Sequence, residues 1–141
     1  MERRTFLKGA CGLCGLATAG SALSFLSACA TSKISKVVAV NHTLTIPLSK
    51  FEIDTLQIIR TDTWDYDIAV KKQNQDSFVA LSLKCTHFDE PLTNTGKGFV
   101  CNLHGSLFGL DGTVLQGPAQ KPLQRLKTIV KNENLIVYLK S

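Results

Sequence analysis

Two short stretches of the sequence place a cysteine beside a histidine at a spacing that could bind a metal. The first is "CTH", residues 85–87, and the second is "CNLH", residues 101–104, with thirteen residues between them. Thiolate sulfur and imidazole nitrogen are both common metal ligands in proteins. The candidate ligands are therefore Cys85, His87, Cys101 and His104.

A disulfide and a zinc site are the alternatives for these residues. Cys85 and Cys101 could form a disulfide, because paired cysteines are usually oxidised in exported proteins. A disulfide would leave the neighbouring histidines without a role. The four side chains could instead bind one zinc ion, since two cysteines and two histidines are a zinc ligand set, although Cys-x-His is an unusual zinc spacing. The third histidine, His42, lies in the polar turn "VNHTL", and we expect it on the surface.

The segments around these residues predict an all-β protein. They are short, rich in Val, Ile and Leu, and partly alternate between polar and apolar residues, as strands do. Turn sequences such as "DG" at 111–112 and "NEN" at 132–134 separate them, and no stretch has a convincing helical period. The predicted strands are residues 36–40, 44–48, 55–60, 66–71, 77–84, 99–101, 106–110, 112–116, 126–131 and 135–140.

Both Cys–His pairs fall in loops at the ends of predicted strands. The Gly-rich turn "TNTGKG", residues 93–98, lies between the two loops. A turn of this composition folds the chain back on itself. We therefore expect the two loops to lie side by side, each offering one thiolate and one imidazole.

The whole pattern resembles the Rieske family of iron–sulfur proteins. In that family two cysteines bind one iron of a [2Fe–2S] cluster and two histidines bind the other. The resemblance implies that Cys85 and Cys101 bind the first iron. It likewise implies that His87 and His104 bind the second, and that the Ser106 hydroxyl points a hydrogen bond toward the cluster.

The resemblance continues beyond the ligands. Residues 101–123 look like the family's second cluster loop followed by its proline-containing loop, and "GPA" at 117–119 stands where the family covers the cluster. It also implies that Gly105 allows backbone N–H groups to approach the cluster sulfides. We expect a β base domain, 37–84 and 124–141, with a cluster-binding subdomain inserted at 85–123.

The function implied by this resemblance is one-electron transfer rather than catalysis. No nucleophile with a neighbouring base is apparent, and we expect a carrier that needs a redox partner protein. Two alternatives are a subunit of a quinol-oxidising or arsenite-oxidising complex, and a zinc-stabilised binding lipoprotein.

Several departures from the family pattern bear on this choice. The thirteen-residue spacing is shorter than is usual in the family. Cytochrome bc-type members have a disulfide between the loops, and its cysteines would fall at Glu90 and Leu103. They also carry a tyrosine hydroxyl where this chain has Phe108. These departures count against the usual quinol-oxidising role.

The N-terminus predicts export and membrane attachment. Arg3 and Arg4 precede Phe-Leu-Lys and an uncharged run over 9–28, which resembles a twin-arginine signal. The run ends in "LSAC", which resembles a lipoprotein cleavage site, so Cys29 is the predicted lipidation site. The alternative is an uncleaved anchor. In this interpretation 1–28 is the signal, 29–36 is a linker, 37–141 is the folded domain, and the protein faces outward at a bacterial cell envelope.

The remaining features are weaker. Removal of the predicted signal would lower the net charge from +5 to about +3, which is mild, and no basic run with interleaved aromatics suggests nucleic-acid binding. The acidic stretch "TDTWDYD", residues 61–67, fits a polar turn with half-buried aromatics better than a docking surface. We expect three basic side chains to form a solvated face: Lys121, Arg125 and Lys127.

Overall fold

The computed structural model describes residues 33–139, and this part of the chain is all-β, as predicted. The predicted signal, residues 1–28, and the predicted lipidation site Cys29 lie outside the described residues. A single short 3-10 helix, Leu48–Phe51, is the helical element found between residues 33 and 139. The strands in chain order are β1 Ile34–Lys36, β2 Thr43–Pro47, β3 Leu56–Arg60, β4 Ile68–Lys72, β5 Phe78–Ser82, β6 Thr93–Asn94, β7 Phe99–Val100, β8 Leu107–Phe108, β9 Val114–Gln116, β10 Arg125–Leu126, β11 Thr128–Lys131 and β12 Asn134–Tyr138.

These strands form three small sheets. The first has the order β1-β3-β4-β5-β10, the second β11-β12-β2 and the third β6-β7-β8-β9. All pairings between these strands are antiparallel except that β1 runs parallel to β3. The third sheet consists entirely of strands between residues 93 and 116, so it surrounds the second Cys–His stretch.

Strand β5 is buried on both faces and joins two apolar cores. Phe78 and Ala80 pack into a core between the first and second sheets, whereas Val79 and Leu81 face a core shared with the third sheet. Successive side chains of a strand point to opposite faces, so a strand between two cores carries apolar residues at every position. The second core also contains both cysteines of the candidate site. The burial of both faces of β5 therefore holds in place the strand that precedes Cys85 in the chain.

Two predicted strands differ from the structure. The segment at 36–40 is predicted to be a strand, but only Lys36 belongs to one. Strand β1 begins at Ile34, inside the predicted linker, and ends at Lys36. The Val37 N–H still donates to the Arg60 carbonyl, at 3.0 Å, and the chain then leaves the sheet. The segment expected as one strand at 126–131 is divided at Lys127: β10 pairs with β5 in the first sheet, and β11 pairs with β12 in the second.

Two of the predicted turns agree with the structure, whereas the predicted turn at 93–98 begins as strand β6. His42 is exposed and lies in a tight turn with Asn41, both at positive φ, so the surface position predicted for His42 is confirmed. The "NEN" hairpin turn also contains two residues at positive φ, Asn132 and Glu133. Paired positive φ values characterise the two-residue turns that match the twist of adjacent strands.

The helical content of residues 33–139 includes no segment with the length and apolar character of a membrane-spanning helix.

Candidate metal centre

Both Cys–His stretches adopt the same hydrogen-bonded loop. In the first loop, residues 85–90, the Cys85 N–H donates to the Glu90 carbonyl at 2.7 Å and the Asp89 N–H donates to the Cys85 carbonyl at 3.0 Å. In the second loop, residues 101–106, the Cys101 N–H donates to the Ser106 carbonyl and the Gly105 N–H donates to the Cys101 carbonyl, both at 2.9 Å. The two ligand pairs are therefore presented by loops with the same backbone pattern.

The two cysteines form the buried side of the site. Cys85 and Cys101 are both fully buried and both free, so the disulfide alternative is wrong for this structure. Buried thiols inside an apolar core are normally inert. Here, both belong to the second core, and the Cys101 side chain acts to lower the pKa of the Cys85 thiol.

Hydrogen bonds favour the thiolate form of Cys85. Burial acts to raise the pKa of the Cys85 thiol, but it is outweighed by hydrogen bonds from the backbone N–H groups of His87 and Phe88. Side-chain hydrogen bonds from Cys101 and Ser106 lower it further, so the pKa of Cys85 lies below its ordinary value. Hydrogen bonds to the charged form stabilise that form, and the thiolate is the form that binds metals.

The two histidines form the exposed side of the site. His87 and His104 are exposed, and their ring centroids lie 4.9 Å apart in an edge-to-face arrangement. The exposed ring of Phe88 packs against His104 with centroids 5.9 Å apart. The structure therefore brings the two thiols into one core and the two imidazoles side by side at the surface.

This arrangement suits two metal ions better than one. Within residues 33–139, no three Cys, His, Asp or Glu side chains are grouped closely enough to bind a single ion. A zinc ion needs four ligands converging on one tetrahedral centre. A [2Fe–2S] cluster with mixed ligation needs two thiolates at one iron and two imidazoles at the other. The donor set and its separation into a buried pair and an exposed pair fit that cluster.

The proline-containing loop, residues 117–123, is hydrogen-bonded to both Cys–His loops. The buried Ala119 donates its N–H to the Ser106 Oγ at 3.1 Å. Ser106 is itself fully buried, and it uses this oxygen as an acceptor. Its hydroxyl proton therefore remains available as a donor, and the Ser106 side chain acts to lower the pKa of the Cys85 thiol.

Gly105 closes the second loop, because its N–H donates to the Cys101 carbonyl. An added Cβ would meet no atom within 4 Å, so glycine is favoured here by its φ of +76° rather than by a close approach of neighbouring atoms. Whether backbone N–H groups approach cluster sulfides beside Gly105 stays a prediction.

Two residues that contact the first loop of the site were not expected from the sequence. Tyr66 donates its hydroxyl to the Asp89 carbonyl at 2.7 Å, and Lys84 Nζ lies 3.0 Å from Asp89 Oδ2. Tyr66 was predicted only as a half-buried aromatic of a polar turn, and its partial burial agrees. The partner, Asp89, lies twenty-three residues away in the sequence, and no local pattern signals such a contact.

Comparisons with known proteins agree with this geometry. A family model for the Rieske [2Fe-2S] domain matches residues 46–129. The cytochrome b6-f complex iron-sulfur subunit of Gloeobacter violaceus is 31% identical over 72 residues, which cover 50% of this chain and 39% of that protein. The match therefore spans less than half of that relative's length.

Solved structures share the fold. The cyanobacterial plasma membrane Rieske protein PetC3 from Synechocystis PCC 6803 superposes with a TM-score of 0.54 at 25% identity, over 70% of this chain and 98% of that chain. A chain in the complex of reduced oxygenase and oxidized ferredoxin in carbazole 1,9a-dioxygenase gives a TM-score of 0.52 at 22% identity, over 72% and 96%. The second similarity concerns the fold alone.

Proposed function

The chain belongs to the Rieske [2Fe-2S] family, and we propose that it carries single electrons at a bacterial cell envelope. The family's cofactor, a [2Fe–2S] cluster, supplies a reversible one-electron change when bound. The observation that carries the proposal is the pairing of two buried free thiols with two exposed imidazoles on loops of the same shape.

We assign the ligands from this arrangement. Cys85 and Cys101 would bind the inner iron, because thiolates can neutralise ferric charge inside an apolar core. His87 and His104 would bind the outer iron, because their rings lie side by side at the surface. Exposed imidazoles place that end of the site within reach of a redox partner. Ser106 would donate its hydroxyl toward the sulfurs.

The domain division follows from the same proposal. Residues 85–123 would act as the cluster-binding part, which includes the third sheet and the proline-containing loop. The first and second sheets would act as the base that supports it. This arrangement leaves the protein as a carrier that passes electrons between other proteins and catalyses no reaction itself.

A second candidate is a subunit of a quinol-oxidising complex. It is favoured by the similarity to a protein named as an iron-sulfur subunit of the cytochrome b6-f complex. Phe108 and the missing loop cysteines at Glu90 and Leu103 count against it. Co-purification of haem-containing or molybdenum-containing subunits from solubilised membranes would favour a complex, whereas isolation of the protein alone would favour the carrier.

The test of the proposed function is the metal content and electronic spectrum of the native protein. Protein purified without oxygen should be red-brown and contain two irons and two acid-labile sulfides per chain, as expected for one cluster. After reduction it should give a paramagnetic resonance signal with an average g value near 1.9, and reoxidation should remove one electron. A colourless protein with stoichiometric zinc would contradict the proposal.

We also propose that Cys29 carries a lipid anchor, which would keep the carrier at the membrane. The wild-type protein should then partition into detergent and incorporate labelled fatty acid, because two or more acyl chains give stable anchoring. Cys29→Ser should abolish the labelling, whereas Cys14→Ser, within the same segment, should leave the mature protein labelled. Full labelling of Cys29→Ser, or a mature protein that keeps Arg3 and Arg4, would contradict this proposal.

A further inference from the structure

The first loop contains a backbone conformation that its residue type disfavours. Each loop places the residue four positions after its cysteine at positive φ: +46° for Asp89 and +76° for Gly105. Glycine adopts this region freely, whereas aspartate does so only occasionally. The first loop therefore pays a conformational cost at Asp89 that the second loop avoids, and outside contacts to Asp89 offset that cost.

Those contacts come from two residues in neighbouring segments. Tyr66, from the turn before β4, donates its hydroxyl to the Asp89 carbonyl at 2.7 Å. Lys84 reaches Asp89 Oδ2 at 3.0 Å, and its Nζ also lies 5.4 Å from the centre of the Tyr66 ring. The three residues contact one another in every pairing. We call Tyr66, Lys84 and Asp89 the tyrosine latch.

The two contacts of the latch differ in strength. Both side chains of the Lys84–Asp89 ion pair are substantially exposed, and exposed pairs contribute little to stability. The Tyr66 hydrogen bond is short and is made to the backbone, so it acts on the loop conformation directly. Lys84 Nζ also lies close to the Tyr66 ring and so restrains its position. Tyr66 is the dominant member.

Closure of the first loop determines where its ligands point. The Asp89 N–H returns to the Cys85 carbonyl, and the Cys85 N–H donates to the next residue, Glu90. Cys85 and His87, the two proposed ligands of this loop, therefore lie within the segment that these bonds close. On the opposite side, Thr86 donates its hydroxyl to a carbonyl of the proline-containing loop at 2.6 Å. The loop is therefore fixed at both flanks.

We propose that the tyrosine latch is a positioning device that holds the first loop closed around the cluster and slows loss of the cluster from the protein. The inference rests on the proposed function, since it concerns retention of the proposed cofactor. Tyr66 touches neither a ligand side chain nor the reacting atoms, and acts through the Asp89 backbone.

The test compares Tyr66→Phe with the wild-type holoprotein. The variant keeps the aromatic ring and loses the hydroxyl, so one hydrogen bond is removed. Loss of visible absorbance in the presence of a chelator should be faster by about 2-fold to 10-fold. Hydrogen exchange of the peptide covering 84–91 should rise, while that of β12 stays unchanged. Lys84→Met, which keeps the aliphatic stem, should change the rate of cluster loss by about 2-fold or less.

Tyr138→Phe is the matched control, because Lys127 Nζ lies 5.5 Å from the Tyr138 ring in the base of the domain. It should lose the cluster at the wild-type rate. Unchanged exchange over 84–91 in Tyr66→Phe, or faster exchange over 84–91 and β12 alike, would overturn the latch. If the wild-type protein held no cluster, the proposed function would fail instead, so the two failures are distinguishable.

Discussion

Substitution of His104 by alanine is expected to leave a folded protein that binds no [2Fe–2S] cluster. His104 is exposed, and its ring contacts are with His87 and Phe88 at the surface, so its removal opens no cavity in the core. One iron would lose one of its two proposed imidazole ligands. Iron and sulfide content should fall to background, and the characteristic visible absorbance should disappear, while the far-ultraviolet circular dichroism stays that of a β protein.

The chain provides its own control for this experiment. His42 is also an exposed histidine, but it lies in a turn between Val40 and Thr43 on the second sheet's side of the domain. His42→Ala should keep full iron and sulfide content. His104→Ala with two irons, two sulfides and an unaltered spectrum would contradict the ligand assignment. Replacement of Cys101 is less informative, because this side chain is fully buried and its loss would also disturb the core.

Substitution of Phe108 by tyrosine is expected to raise the reduction potential. Phe108 is buried in the same apolar core as Cys85 and Cys101, so a hydroxyl at this position would seek an acceptor among the sulfurs. Reduction adds negative charge there, and a donor stabilises the reduced form. Hydrogen bonds to charged groups are worth about 1.5–3 kcal/mol. At 59 mV per tenfold change in equilibrium constant, the potential should rise by roughly 60–130 mV.

The same argument sets an expectation for the wild-type protein. Family clusters span about −150 to +300 mV. Without the tyrosine hydroxyl but with the Ser106 donor, we expect a value well inside that range. Protein-film voltammetry measures both proteins, and Phe78→Tyr, in the core between the first and second sheets, is the control that should leave the potential unchanged. A wild-type potential near the top of the range, or no rise in Phe108→Tyr, would contradict the argument.

Fold prediction from the sequence succeeded where local patterns carry the information. Alternating Val, Ile and Leu segments predicted most strands, and "NEN" and the His42 turn were placed correctly because turn residues act over two to four positions. The segment at 126–131 shows the limit. Its apolar pattern continues through Lys127, but β10 and β11 pair with different sheets, and pairing partners are chosen by the whole chain.

The early start of β1 has a similar origin. Residues 34–36 comprise one isoleucine and two polar residues, and this composition suggested a linker. They become a strand because the edge of β3 is free to accept them, in a parallel register that pairs Ile34 with Ile58. An unpaired edge exposes a row of N–H and C=O groups. Which segment pairs with that row depends on where the edge lies after folding.

The chemistry of this protein follows from residue identities along the chain. Two Cys–His stretches at this spacing, followed by Gly-Ser and "GPA", resemble the Rieske pattern, and the family match over residues 46–129 identifies the cofactor class. The tertiary structure alone decided which ligands are buried and which exposed, and that Tyr66 reaches Asp89 across twenty-three residues. Burial and long-range contacts arise only when separate strands pack together, so no local spacing encodes them.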